Sequence, residues 1–152
     1  MNNNDIIRRL RYTFDIDDEG MIKIFALANT VVSRARISEW LKKDEDEGFR
    51  EINDEELATF LNGLIVKHRG KKEGVEMVNE DRLDNNMIFR KLKIALALKS
   101  DEIVALYAAI GKKISPHELS AFFRNPKQNQ YRYCNDQYLR QFLSGLQKKY
   151  RD

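Results

Sequence analysis

Cysteine is nearly absent from this chain of 152 residues. Cys134 stands alone, so no disulfide can close within the chain, as expected in a reducing compartment. Histidine is almost as scarce. His68 and His117 have no second Cys or His at ligand spacing, which speaks against a zinc site. The seven glycines are scattered, which excludes the common glycine-rich phosphate loops. No apolar run approaches the ~20 residues that span a bilayer. The polar start Met1-Asn2-Asn3-Asn4 does not resemble a signal peptide. These absences predict a cytoplasmic protein with no metal, no cofactor and no membrane contact.

What is present is a duplication. Residues 3–64 recur without a gap as residues 85–146, shifted by 82, and 16 of the 62 aligned pairs are identical. Phe60-Leu61-Asn62-Gly63-Leu64 falls on Phe142-Leu143-Ser144-Gly145-Leu146, and Asn3-Asn4 on Asn85-Asn86. A unit of ~60 residues buries too little surface to be comfortably stable alone. The two copies are therefore expected to share a core or a large interface. The copies differ in charge. Residues 1–82 carry 14 Lys/Arg against 18 Asp/Glu, a net −4, whereas residues 83–152 carry 13 against 6, a net +7. Only the second half attracts a polyanion unaided.

Each copy reads as four helices, and nothing alternates at period two for long enough to suggest a strand. The first helix follows an Asn cap (Asn4, Asn86) and carries Ile6, Ile7 and Leu10, or Ile88, Phe89 and Leu92. The second follows Asp18 or Ser100 and ends at Asn29 or Gly111, where a left-handed residue is wanted. Ser33 and Ser115 cap the third, the latter as a capping box with Pro116 at the first helical position. The fourth opens at Asn53 or Asn135 and buries Leu57, Phe60, Leu61 and Leu64, or Leu139, Phe142, Leu143 and Leu146. The predicted fold is all-α: a first helical repeat over 1–68, a linker over 69–84 with a short helix near 75–78, and a second repeat over 85–152. Two copies make no solenoid, so an approximate pseudo-twofold pair is expected.

No catalytic constellation is readable. Cys134 aligns with Ile52, which marks it as a small buried hydrophobe rather than a nucleophile. The acidic run Asp44, Glu45, Asp46 and Glu47 lacks the alternation of a calcium loop and aligns with Pro126-Lys127-Gln128-Asn129. Three polar features are shared by both copies. Arg8, Arg9 and Arg11 match Arg90, Lys91 and Lys93, a basic face opposite the apolar stripe and a candidate anion or nucleic-acid surface. Arg50 and Asp54 match Arg132 and Asp136, read as loop anchors in which the arginine bridges to the aspartate, or as pocket residues beside Phe49 and Tyr131. Finally, a short turn over 29–32 joins the second and third helices, as in a helix-turn-helix that would present Ser33, Arg34 and Arg36 to a major groove. The second copy offers Ser115-Pro116-His117-Glu118 there, which has no donor-rich edge, so duplex readout is disfavoured.

Several of these strings together carry a resemblance. Phe60-Leu61-Asn62-Gly63-Leu64 with Arg69-Gly70, Asn85-Asn86 leading to Arg90-Lys91-Leu92-Lys93-Ile94-Ala95, and Cys134-Asn135-Asp136-Gln137-Tyr138-Leu139-Arg140 resemble the YehS-like family of bacterial proteins. The resemblance covers nearly the whole chain. It implies a cytoplasmic protein with a duplicated helical domain and supplies no catalytic residue. The expected function is a non-enzymatic module that binds another protein or itself. The alternatives are a nucleic-acid-associated protein using the first-helix faces, and a ligand site in the cleft between the copies.

Overall fold

The computed structural model describes residues 1–71 and 78–152, and among these every regular element is an α-helix. The first repeat contains α1 (Asn3–Thr13), α2 (Asp18–Leu27), α3 (Arg34–Leu41) and α4 (Asp54–Arg69). The second contains α5 (Asn85–Ala95), α6 (Ser100–Ala109), α7 (Pro116–Phe122) and α8 (Asp136–Tyr150). The short helix expected near 75–78 falls mostly on 72–77, outside the described residues.

The third and fourth helices start where their caps predict. The Ser33 and Ser115 side chains accept from the N–H groups of Arg36 and Glu118. Asn53 and Asn135 accept from Glu56 and Tyr138. Asn29 and Gly111 take the expected left-handed backbone, at φ 60° and 74°. The first two helices start earlier than expected. Asn2 and Asp84 cap α1 and α5, while Asp17 and Lys99 precede α2 and α6. Asn4 and Asn86 are not caps: both are buried in the first helical turn and bond elsewhere.

The repeats interlock. The most extensive helix contact in the molecule joins α4 of the first repeat to α5 of the second, and the reciprocal pair α1 and α8 also pack together. Each first helix therefore lies on the fourth helix of the other copy, the pattern an approximate twofold axis produces. Within each repeat the fourth helix crosses the second at a glycine. A Cβ on Gly145 would stand 2.8 Å from the Leu106 carbonyl oxygen, and one on Gly63 would overlap the Ile24 carbonyl oxygen. One apolar core runs through both copies, from Ile7, Phe25, Trp40 and Leu61 to Phe89, Tyr107, Phe122 and Leu143.

Candidate functional site

The shared basic residues of the first helices have partners inside the fold. Arg9 crosses to the second repeat and donates to Ser144 Oγ at 2.7 Å; Lys91 crosses the other way and donates to Asn62 Oδ1 at 2.6 Å. Ser144 and Asn62 are equivalent positions, so this pair of contacts obeys the pseudo-twofold. Burial, with Arg140 nearby, holds the Arg9 guanidinium below its ordinary value. Arg8 donates to the Lys42 carbonyl and pairs with Asp5 and Asp44, each at 3.0 Å. Arg90 donates to the Phe123 carbonyl at 2.6 Å. Both thus serve exposed carbonyls at a third-helix C-terminus. Arg11 pairs with Asp18 at 2.7 Å, and the Lys93 ammonium lies 4.8 Å from the Phe123 ring centre. Only Arg90 of the six is exposed. Their charge survived duplication alongside these packing duties.

Lys91 also meets Glu80, with Nζ 2.6 Å from the carboxylate, and Asn62 donates to the other carboxylate oxygen at 3.1 Å. Burial pushes the Glu80 carboxyl upward, but the bonds from Lys91 and Asn62 outweigh it and hold the group below the usual carboxylate range. A carboxylate with a depressed folded value stabilises above its unfolded pKa of ~4.3, and this contribution is lost as pH falls through the folded value. Glu80→Gln is therefore expected to lower the melting temperature at pH 7, and to converge with the parent protein near pH 3. Equal melting temperatures at pH 7 would remove Glu80 from the interface.

The arginine and aspartate anchors behave differently from expectation. No ion pair joins Arg50 to Asp54 or Arg132 to Asp136 among the described residues. Asp54 accepts instead from Asn3 at 2.9 Å and from the Leu83 N–H at 3.0 Å, and Asp136 accepts from Asn85 at 2.7 Å. The arginines contribute their backbones. Asn4 donates to the carbonyls of Arg50 and Trp40 and accepts from the Ile52 N–H; Asn86 does the same with Arg132, Phe122 and Cys134. These buried asparagines are the loop anchors. Their only sequence signal was identity in both copies, which a cap explains equally well.

The remaining candidates resolve simply. Burial, reinforced by Asp136 and Asp84, pushes the Cys134 thiol up to about 12, which leaves negligible thiolate near neutrality. No group of three or more His, Cys, Asp or Glu side chains is placed to hold a metal among the described residues, and no described helix is long and apolar enough to cross a membrane. Arg34 pairs with Glu19 at 3.8 Å and Arg36 with Glu39 at 3.3 Å.

What sequence reasoning missed is a pair of equivalent grooves, each between the turn after the second helix and the start of the fourth. The first-repeat groove encloses about 510 Å³ and lies over the buried Phe25 and Trp40, whose rings are 5.4 Å apart. Glu55, Glu56, Arg36 and Thr59 line it as well, and Val31, 96% exposed, stands at its edge. The second-repeat groove encloses about 400 Å³, with Lys112, Lys113 and Arg132 in its lining. The grooves differ at several aligned positions, among them Val31 and Lys113, Glu55 and Gln137, and Glu56 and Tyr138. Glu56 turns back to accept from the Asn53 N–H at 3.0 Å. Its counterpart Tyr138 packs on Phe122 at 5.3 Å between ring centres and donates to Glu118 at 3.2 Å, adding an aromatic ring to that groove.

The fold and the grooves define a class: a duplicated, interlocked all-α protein that presents one cradle twice with opposite charge. The chain belongs to the family described as "Protein of unknown function (DUF1456)", whose model matches residues 3–70 and again 85–152. It is 40% identical over 147 residues to the Escherichia coli (strain K12) protein called "Uncharacterized protein YehS", an alignment covering 96% of this chain and 94% of that protein. No solved structure matches the chain.

Proposed function

We propose that the protein is a non-enzymatic interaction module, and that its first-repeat groove receives a basic segment of a partner protein. The observation that supports this reading is a groove rimmed by the carboxylates of Glu55 and Glu56 and by the 96% exposed Val31. A lysine or arginine stem packs against the apolar side chains of Val31 and Val32 while its charged head reaches the carboxylates. The second repeat lacks this combination, because Gln137 and Tyr138 stand where Glu55 and Glu56 do. Arg36 does not neutralise the acidic rim, since its guanidinium is engaged by Glu39.

Trp40 is the sole tryptophan and lies buried beneath this groove, so its fluorescence reports on changes there. Titration with a short Arg/Lys-rich peptide containing a leucine is expected to change that fluorescence saturably at low salt. Glu55→Lys is expected to weaken the response at least about tenfold by turning attraction into repulsion. An unchanged Trp40 signal at millimolar peptide would reject the reading, as would a Glu55→Lys response equal to the parent's.

A further inference from the structure

We propose that the second-repeat groove holds the phosphate backbone of a single nucleic-acid strand. Two separate elements bring its cations together: Lys112 and Lys113 lie in the turn after α6, and Arg132 lies in the segment leading into α8. Among the described residues, none of the three is within ion-pair distance of a carboxylate. This separates them from the first-helix cations, several of which are paired. Arg132 is fastened through its backbone, by Asn86 to its carbonyl and by its own N–H to Ala121, so its side chain is free of structural duty there. The amides of Gln137 and Gln141 line the same recess and can donate to phosphate oxygens.

The neighbouring carboxylates are occupied. Glu118 accepts from the Ser115 N–H and the Tyr138 hydroxyl, and Asp136 accepts from Asn85. The adjoining loop contains Arg124, Lys127 and Arg132 and has no acidic residue from Phe123 to Asn135. The equivalent first-repeat loop carries Asp44, Glu45, Asp46, Glu47 and Glu51. The same scaffold has thus been stripped of acids and supplied with cations on one side only, and the second half carries the net +7.

The chemistry of the recess selects the ligand. Apart from Tyr138 the recess is lined by Lys, Arg, Asn and Gln side chains, so an apolar small molecule finds little to bury against. Cations drawn from two elements, Lys112 and Lys113 on one and Arg132 on the other, suit linked phosphates better than a single anion. A duplex is a stiff cylinder that meets a recess only at its rim, whereas a single strand bends into it. Phosphate contacts release condensed counterions, so binding to single strands weakens with salt by about 0.7 log units per log unit for each phosphate neutralised.

The test uses the full chain and fluorescent fifteen-nucleotide oligo-dT and oligo-rU, followed by anisotropy from 25 to 200 mM salt. The protein is expected to bind one or both strands with a log–log slope of about −2, the value for three phosphate contacts. Lys112→Gln/Lys113→Gln/Arg132→Gln is expected to lose at least about tenfold in affinity and most of the slope. Lys23→Gln/Arg34→Gln/Lys67→Gln removes the same charge from exposed positions of the first repeat and is expected to keep both. Circular dichroism confirms that each variant is folded before titration. The proposal is overturned if the parent binds neither strand at 25 mM salt, if the two triple variants lose equally, or if a duplex of equal length binds as tightly. These outcomes are independent of the first-repeat groove, which Trp40 reports separately.

Discussion

Gly63→Ala is expected to destabilise the protein by about 3 kcal/mol or more, beyond the usual range for an overpacked core. The added methyl group would overlap the backbone oxygen of Ile24, and a backbone atom cannot rotate aside as a side chain does. Helices α2 and α4 would have to separate, and α4 is also the helix on which α5 of the other repeat packs. Gly145→Ala is expected to cost less, about 1–3 kcal/mol, because its new Cβ would stand 2.8 Å from the Leu106 oxygen, a smaller overlap. Urea unfolding followed by circular dichroism and by Trp40 fluorescence measures both. Because each first helix packs across the pseudo-twofold, the two probes are expected to report a single transition. A Gly63→Ala loss below ~1 kcal/mol would mean that the crossing is looser than the structure shows.

Asn4→Ala is expected to cost about 3–5 kcal/mol. It leaves the buried Ile52 N–H and the carbonyls of Trp40 and Arg50 without their partner, and each unsatisfied buried group costs about 1–3 kcal/mol before relaxation or water entry offsets part of it. Asn86→Ala removes the same three bonds in the second repeat and is expected to cost a similar amount. Asn4→Asp separates this role from simple space-filling. The carboxylate still accepts from Ile52 but cannot donate to the two carbonyls, so it is expected to be at least as harmful as alanine. An aspartate variant close to wild-type stability would refute the anchoring role. Both measurements come from denaturant midpoints at pH 7.

Much of the architecture was legible because helices are local. The Ile/Leu stripes, the Ser and Asn caps and the left-handed Asn29 and Gly111 depend on neighbours within about four residues, and the duplication repeats each signal. The misplaced starts of α1 and α5 show the limit of such reading. Asn4 and Asn86 look like caps in isolation, but both are buried and bond to the end of the third helix and the loop after it, 36–48 residues away. Retention of Arg50 and Arg132 in both copies suggests side-chain anchors; in each, the carbonyl is what the asparagine grips.

By itself, the sequence determined that this is a duplicated all-α protein, where most of its helices lie, and that its halves carry opposite charge, because composition and 3.6-residue periodicity are properties of the chain. Only the tertiary structure decided what the shared cations do. Arg9 and Lys91 are surface residues on an isolated helix and become inter-repeat hydrogen bonds once α1 lies on α8 and α5 on α4. It also decided where the repeats differ in use. The grooves join residues from a turn and a helix start some 25 positions apart, and one exchange, Glu56 for Tyr138, places a carboxylate in one groove and an aromatic ring in the other.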